Sequence, residues 1–376
     1  MQEKYFSDKT ARTFVVIMGV ALIGFLLREM QYIFIPFTVA YFLFFLFAPL
    51  NSFLRKMKIP LAINVIIDLL IIAGVFFWVG RFLVDSIIQF SQSIDVYFTR
   101  LNGIVREISK AIGISDPYFK YFSLQRILAK MDYKELAGGI ISQTVDFMGS
   151  VLFVLFFFVF IEGGHSSIIN AIRKRYVVKK EQKENMENEP AAKLSQSNTH
   201  LQEKKQTIIE EAVGSTFKKI TEQIQKYIIT KIAMNLLAGA LVTAICFIFK
   251  VDFPIIWGAF TFVLNFIPSI GSAIALIFPT LMALVQYEAL GYGLLIAAII
   301  ALIQTLVFNI LEPKIIGKRL NMNPIMILLS VLVWGFIWGI VGMFLAVPLT
   351  AIIKIILENS ESKDSVFIAD LMSQGQ

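Results

Sequence analysis

Long stretches of this chain carry no charged side chain, and this restricts its fold more than any other feature. Residues 151–161 read VLFVLFFFVFI, and residues 32–50 contain no charge at all. A helix needs about 20 apolar residues to cross the hydrocarbon core of a bilayer. Only 16% of the 376 residues are charged, whereas soluble domains carry roughly a quarter. The sequence therefore predicts an all-α polytopic membrane protein in contact with membrane lipids, rather than a large soluble helical protein.

About eight apolar segments are predicted to lie in the membrane: 13–27, 32–50, 61–80, 147–161, 232–249, 254–286, 294–311 and 324–357. The cytoplasmic loops of membrane proteins are rich in Lys and Arg, so Lys4, Arg55, Lys174 and Lys318 mark the cytoplasmic side. This pattern predicts a multi-pass protein with cytoplasmic N and C termini. It also accounts for the formal charge of +7, so no nucleic-acid partner is expected.

Polar segments divide the chain into predicted parts. They are a first membrane bundle of three spans (1–80), a helical extramembrane domain (81–146), a fourth span with a basic cytoplasmic segment (147–180), a flexible cytoplasmic linker (181–206), an interfacial amphipathic helix (207–231), a transport unit (232–357) and a cytoplasmic tail (358–376).

The extramembrane domain contains a heptad seam, because its apolar residues recur at steps of four and three. The seam residues are Leu83, Ile87, Phe90, Ile94, Tyr97, Leu101, Ile104 and Ile108. Two interpretations stay open. The seam packs on the domain's own second helix at 124–131, or it forms a contact between subunits.

Two apolar segments, 254–286 and 324–357, are each too long for one span and short for two full spans. Each opens with a capping residue and a proline (Asp252 with Pro254, Asn323 with Pro324), and proline suits the first helical turn. The first is broken at Pro268-Ser269-Ile270-Gly271 and the second at Gly335, Gly339 and Gly342. These features predict two re-entrant helical hairpins.

Each hairpin follows a full span, and the two spans start on opposite sides of the membrane, which makes the units inverted repeats. Inverted repeats with interrupted helices indicate the binding site of a secondary transporter, because unpaired backbone groups survive at membrane depth only around a cavity or inside protein. The alternative is ordinary helix packing, since Gly and Pro are common in membrane helices.

Residues 257–279 read WGAFTFVLNFIPSIGSAIALIFP, and residues 311–356 read LEPKIIGKRLNMNPIMILLSVLVWGFIWGIVGMFLAVPLTAIIKII. Both stretches resemble the signature of the autoinducer-2 exporter family of bacterial permeases. The resemblance is dense over 232–356, whereas only the span pattern matches in the first half. It implies a permease of the prokaryotic plasma membrane that assembles as a homo-oligomer, with a pentamer as one candidate. The family implies export of a quorum-sensing furanone or sodium/proton exchange, so it leaves the solute open.

Polar and glycine residues at the breaks are the predicted solute-binding groups. They are Asn265, Pro268, Ser269, Gly271 and Ser272 at the first break, Gly335 and Gly339 at the second, and Gln304 and Asn309, with Thr305, on the span between. The alternative is structural. The residues at the first break would cap a strained turn, and those on the span would hydrogen-bond neighbouring helices.

Two acidic residues are candidates for coupling to an ion, because carboxylates inside a membrane are costly and mark ion pathways. Glu312 ends the span between the hairpins, and Asp68 lies inside the third span. The alternatives are solvation of Glu312 beside Lys314 and pairing of Asp68 within the bundle. Glu162 is predicted to lie at the membrane interface.

The sequence lacks the residue patterns that the common enzymatic functions require. His165 and His200 both lie in polar segments, so no histidine-rich metal site is expected, and no Walker-type loop is present for ATP. No cofactor is expected. The sequence therefore predicts a secondary transporter that exports a small polar molecule such as autoinducer-2 by alternating access. A sodium(lithium)/proton antiporter is the runner-up, and a passive pore or a membrane scaffold without transport is the alternative of another class.

Overall fold

The computed structural model describes residues 9–113, 123, 149–165, 167, 199–268, 270–316, 322–358 and 363–373, with only the backbone over 199–220. Ser269 and most of the predicted linker lie outside these residues. So do the helix at 124–131 and the side chains of Leu83, Ile87, Phe90, Ile94 and Ile108.

In the first half the described residues form the helices α1 (Lys9–Glu29), α2 (Gln31–Lys56), α3 (Leu61–Ala111) and the shorter α4 (Gly149–His165). Its core packs Phe47 of α2 against Phe158 of α4, with Ala40 and Ile72 buried beside them. The 51 residues of α3 continue far beyond the roughly 20 that a span requires. The predicted third span and the first part of the predicted extramembrane domain therefore form one continuous helix, and the position of its second part outside the membrane stays a prediction.

The second half begins with α5 (Thr199–Ile248), which starts inside the predicted linker and runs unbroken through the predicted interfacial helix into a span. The remaining elements are α6 (Pro254–Leu264), α7 (Ile270–Tyr287), α8 (Leu290–Gln304), a π-helix (Thr305–Leu311), α9 (Glu312–Ile316), α10 (Pro324–Glu358) and α11 (Lys363–Met372). Val242, Trp257, Met282 and Ile300 form the main core of this half.

Six helical segments in the described part of the chain are long and apolar enough to cross a membrane: Gln31–Lys56, Leu61–Ser86, Thr221–Ile248, Ile270–Tyr287, Leu290–Ile315 and Pro324–Glu358. Large apolar side chains such as Trp78 and Phe336 are exposed on their outer faces. A large exposed apolar surface fits a lipid environment. The prediction of an all-α polytopic membrane protein is confirmed, and the membrane assignment of 13–27, which lies within α1, stays a prediction.

The first hairpin consists of α6 and α7, which are separated by a short break at 265–269. Phe253 precedes α6 in the left-handed conformation, with φ of 62°, and Pro254 occupies the first turn. A Cβ atom on Gly271 would overlap the carbonyl oxygen of Leu264. Only glycine therefore lets α7 start this close to the end of α6.

The second hairpin lies within α10, whose helical path is interrupted at Trp338 and Gly339. Gly339 has φ of 61° and ψ of −142°, a conformation that is essentially restricted to glycine. A Cβ atom on Gly342 would overlap the carbonyl oxygen of Trp334. Leu264 and Trp334 each lie ten positions after the proline that opens their hairpin (254 to 264, 324 to 334). In both hairpins, therefore, a glycine packs against the carbonyl oxygen at the same position.

Of the two predicted helix-capping residues, Asn323 caps its helix and Asp252 does not. The side chain of Asn323 accepts a hydrogen bond from the Ile325 amide at 2.9 Å, as a capping residue does. The prediction for Asp252 is wrong, because α6 has no side-chain cap. The Asp252 carboxylate instead accepts a 2.6 Å hydrogen bond from the Tyr97 hydroxyl on the extension of α3. Tyr97 belongs to the heptad seam and packs against the core of the second half, a contact that neither interpretation of the seam included.

Candidate functional site

Asn265 lies at the break of the first hairpin. Its backbone amide bonds the carbonyl oxygen of Thr261 at 3.2 Å and continues the helical pattern of α6 for one more residue. The side chain is 3% exposed, and its Nδ2 has no hydrogen-bond partner among the described residues. Thr261, one turn earlier on the same face, is fully buried, and its Oγ1 is likewise unpartnered.

The neighbouring helix α5 contributes a second buried amide at the same depth. Gly239 of α5 and Gly258 of α6 meet so closely that a Cβ atom on Gly239 would lie 2.7 Å from the Gly258 carbonyl oxygen. The two helices run in opposite directions because a short turn joins them. The same Cβ atom would lie 3.2 Å from Cβ of Phe262. Asn235, one turn before Gly239, is therefore close to the level of Asn265, which lies three residues after Phe262. Asn235 is fully buried, and neither side-chain amide atom has a partner in the described part of the chain.

Gln304 of α8 lies at a similar level. Val242 of α5 and Ile300 of α8 belong to one buried cluster, and Ala238 and Val307 belong to another, which puts Gln304 between them at about the level of the glycine contact of α5 and α6. It is 7% exposed, and both of its side-chain amide atoms are unpartnered within the described residues. Asn235, Thr261, Asn265 and Gln304 are referred to below as the polar cluster.

The π-helix that follows Gln304 widens the backbone of this span beside the polar cluster. Single π turns within α-helices occur frequently at functional sites. The same helix turns Thr305 and Asn309 to the exposed surface. The structure thus separates these two residues from Gln304, although the sequence analysis placed all three at one cavity.

Glu312 forms a buried ion pair that the sequence did not indicate. Both of its carboxylate oxygens accept hydrogen bonds from Lys231 Nζ at 3.0 Å, and the two side chains are only 15% and 10% exposed. Lys231 also lies over the ring of Phe308, at 4.8 Å from its centre. Lys231 was overlooked because it directly precedes the predicted span at 232–249.

The second hairpin places its polar side chains differently. The Trp334 indole donates to Thr350 Oγ1 at 3.1 Å across the two arms, and Ser330 donates to the Ile327 carbonyl oxygen at 2.7 Å. At the break, the Trp338 indole donates to the Leu27 carbonyl oxygen of α1 at 2.9 Å. Gly335 packs near Met343, and Gly339 is exposed. These hydrogen bonds hold the hairpin closed and attach it to α1.

The other residues predicted at the first break have structural positions. Pro268 is partly buried, and its carbonyl oxygen accepts a bond from the Ile270 amide at 2.7 Å. Gly271 makes the close approach to Leu264, and Ser272 is partly buried on the first turn of α7. The structure therefore brings Asn265 to the polar cluster, while Pro268 and Gly271 shape the turn beside it.

Asp68 lies apart from the polar cluster, in the bundle of the first half. It is fully buried and accepts a 2.7 Å hydrogen bond from Asn51 Nδ2. Glu162, predicted at the interface, has a side chain that is 1% exposed and accepts a 3.1 Å hydrogen bond from Arg55. Among the described residues, no three His, Cys, Asp or Glu side chains come together.

Two broken hairpins beside a buried group of unpartnered amides, within a bundle of membrane-spanning helices, define the class of polytopic membrane transport proteins. The sequence profile of the AI-2E family transporters matches residues 13–362, and the chain belongs to this family. The resemblance found in the two hairpin stretches is confirmed.

Individual relatives support the same family. The chain is 43% identical over 141 residues to a protein of Borreliella burgdorferi, and 35% identical over 154 residues to the AI-2 transport protein TqsA of Escherichia coli. These matches cover 37% and 41% of this chain, and the chain spans only 39% and 44% of the length of these two relatives. A protein of Haemophilus influenzae is 27% identical over 330 residues, which cover 87% of this chain and 86% of the relative. The first and third relatives are named only as transport proteins, without a solute.

Proposed function

We propose that this protein is a secondary transporter that binds a small, uncharged, hydroxyl-bearing solute at the polar cluster. One observation carries the proposal: six buried side-chain atoms of Asn235, Thr261, Asn265 and Gln304 have no hydrogen-bond partner in the described part of the chain. Leaving a buried polar group unpaired costs about 1–3 kcal/mol. A solute that bridges these atoms removes this cost, which supports binding at this place.

The chemistry of the cluster favours a neutral solute. Its side chains are amides and a hydroxyl, which both donate and accept hydrogen bonds without a net charge. The nearest charged groups with a described ion pair, Lys231 and Glu312, neutralise each other. A charged solute would stay uncompensated here, and that is costly in a buried site. A small hydroxylated molecule of the autoinducer-2 type fits these requirements, in agreement with the name of the relative TqsA.

Alternating access is the mechanism that we propose. The half-helices of the first hairpin end at the polar cluster, and interrupted helices at a binding site are characteristic of secondary transporters. Leu27 and Phe34 of the first bundle pack against the second hairpin, so this contact is where the two halves would move relative to each other. Export as the direction, a homo-oligomeric assembly and a prokaryotic plasma membrane with cytoplasmic termini belong to the same proposal.

The test is transport of radiolabelled autoinducer-2 in vesicles that contain the purified protein. A neutral hydrogen bond contributes about 0.5–1.5 kcal/mol, so Asn265→Ala is expected to lower flux at low solute concentration about two- to tenfold. Ser330→Ala is the matched control, because its hydroxyl is already satisfied within α10. Equal flux in the two variants would contradict the proposed site.

Counterflow separates a carrier from a passive pore. Unlabelled solute loaded inside the vesicles accelerates uptake of labelled solute by a carrier, whereas a pore shows no such acceleration. Absence of counterflow in the wild-type protein would contradict alternating access and favour the pore or scaffold alternative.

Sodium(lithium)/proton exchange is the second candidate. It is supported by Asp68, a fully buried carboxylate with one unpaired oxygen among the described residues. Glu312 remains the other predicted coupling residue, although its charge is already balanced by Lys231. Loss of ion exchange in Asp68→Asn vesicles, with exchange retained in Glu312→Gln vesicles, is expected if Asp68 carries the ion. The reverse result would assign the coupling to Glu312.

A further inference from the structure

Five polar or charged side chains converge at the predicted cytoplasmic end of the first bundle. Asn51 and Arg55 lie one turn apart on α2, and Asn64 and Asp68 lie one turn apart on α3. The 2.7 Å bond between Asn51 and Asp68 joins the two helices. Because α2 and α3 run in opposite directions, Asn64 is level with Arg55. Glu162 of α4 reaches the same place through its bond to Arg55.

This group contains more oxygen acceptors than donors. After the bonds from Asn51 to Asp68 and from Arg55 to Glu162, four buried side-chain oxygens have no donor in the described part of the chain. They are Oδ1 of Asn51, Oδ1 of Asn64, Oδ1 of Asp68 and Oε2 of Glu162, and the donor Nδ2 of Asn64 is likewise without a partner there. Asn64 and Asp68 are both fully buried. Buried oxygens normally have a hydrogen-bond or metal partner.

The charges of the group are also unbalanced. Asp68 and Glu162 are close enough for their carboxylates to repel each other, and within the described residues Arg55 pairs with Glu162. In this part of the chain the group therefore holds two carboxyl groups and one guanidinium group. Lys56 lines the cavity at the mouth of the group but is exposed to solvent. An intramembrane carboxylate without a counter-charge is costly, and one further positive charge would balance the group as the described residues form it.

We propose that Asn51, Asn64, Asp68 and Glu162 form a binding site for one monovalent metal cation of the sodium type. Hard cations prefer carboxylate and carbonyl oxygens, and the four unpaired oxygens are of these two kinds. One unit charge neutralises the group. A proton on Asp68 would also neutralise the charge, but it would satisfy one oxygen acceptor at most. A metal cation can accept several oxygen ligands at once.

A route to this site exists from the cytoplasmic side. A cavity of about 380 Å³ is lined by Phe44, Ala48, Asn51, Ser52, Arg55, Lys56 and Glu162. Arg55 is 59% exposed, whereas the Glu162 side chain it bonds is 1% exposed. The cavity therefore leads from solvent to two of the proposed ligands, and water within it can complete the coordination shell of the cation.

Coupling of this cation to solute movement rests on the proposed transport function, whereas binding of the cation does not. The site lies in the first half, and the polar cluster lies in the second. Sodium binding and solute binding can thus be lost separately. Asn265→Ala is expected to lose solute flux and to keep its response to sodium.

Thermal unfolding of the purified full-length protein in detergent tests the inference. Midpoints are measured in rising NaCl against choline chloride at equal ionic strength, because a ligand that binds only the folded state raises the midpoint in proportion to its occupancy. The wild type is expected to show a saturable rise specific to sodium. Asp85→Asn is the matched control, since Asp85 lies on the same helix, is 59% exposed and pairs only with Arg81 among the described ion pairs. It should respond like the wild type.

Asp68→Asn and Asn64→Leu are expected to shift the sodium concentration of half-maximal response upward by at least about tenfold, since even outer-shell changes cost roughly 10–100-fold in metal affinity. Asn64→Leu removes one oxygen and no charge, so it keeps the test decisive if Asp68→Asn does not fold. Equal midpoints of the wild type in NaCl and choline chloride would overturn the proposal, as would a wild-type sodium response in both variants. A response to pH without a response to sodium would assign a proton in place of the cation.

Discussion

The ion pair between Lys231 and Glu312 gives a quantitative test of how the second half is held together. Both carboxylate oxygens bond one ammonium group at 3.0 Å, and the side chains are 10% and 15% exposed. Removing one partner of a buried ion pair leaves an uncompensated charge, which costs about 3–5 kcal/mol, whereas replacing both partners with neutral residues is often nearly neutral. The pair therefore predicts strong coupling between the two substitutions.

Lys231→Met and Glu312→Gln are each expected to lower the free energy of unfolding by about 3–5 kcal/mol. At about 2 °C per kcal/mol, this corresponds to a drop of the melting temperature on the order of 6–10 °C. The double variant is expected to melt closer to the wild type than either single variant. Intrinsic tryptophan fluorescence during heating, in detergent at constant salt, measures all four proteins of the cycle. Additive losses in the double variant would refute the reasoning, because they would show that neither charge depends on the other.

Two further substitutions test the first hairpin and its outer contact. Gly271→Ala places a Cβ atom against the carbonyl oxygen of Leu264, so it is expected to lower the free energy of unfolding by about 1–3 kcal/mol. The control is Gly291→Ala, whose Cβ atom would meet no atom within 4 Å and which should melt at the wild-type temperature. Equal melting temperatures of the two variants would contradict the close approach. Burial, followed by the hydrogen bond and charge of Asp252, raises the pKa of Tyr97, so its hydroxyl stays protonated and keeps donating throughout neutral and mildly alkaline pH. Tyr97→Phe is expected to accelerate the amide hydrogen exchange of the segment around Asp252. Equal exchange rates in the variant and the wild type between pH 7 and 9 would show that this bond does not hold the loop.

The lengths of the apolar segments and the positions of their prolines predicted most of the fold. Pro254 and Pro324 open both hairpins as predicted, because the pattern of an apolar run after a proline is local in sequence. The glycines predicted to break the second hairpin include Gly339, where the interruption occurs. The heptad pattern, which is also local, predicted a helical segment after the third span. It did not predict what this helix contacts, because the bond from Tyr97 to Asp252 joins residues that are distant along the chain.

The candidate sites were predicted only in part, for the same reason. Asn265 and Gln304 were recognised because they are polar residues within apolar runs close to a break. Asn235 and Thr261 belong to the same cluster but lie inside unbroken helices, where the sequence alone does not tell a buried amide from one that bonds a neighbour. Asn309 was grouped with Gln304 because it shares a helical face with Thr305, the neighbour of Gln304, but the structure buries Gln304 and exposes both Thr305 and Asn309.

The long helix α3 joins the two halves of the molecule at its far end. Beyond the span it reaches the second half, where Arg100 donates to the carbonyl oxygen of Gln286 at 2.7 Å. The rise of 1.5 Å per residue makes its 51 residues roughly 75 Å long, so a single helix connects the first bundle with the end of the first hairpin. We expect a rearrangement that preserves the Arg100 contact to pivot about this end. The largest displacements are then expected at the opposite end of α3, next to the mouth of the cavity lined by Arg55.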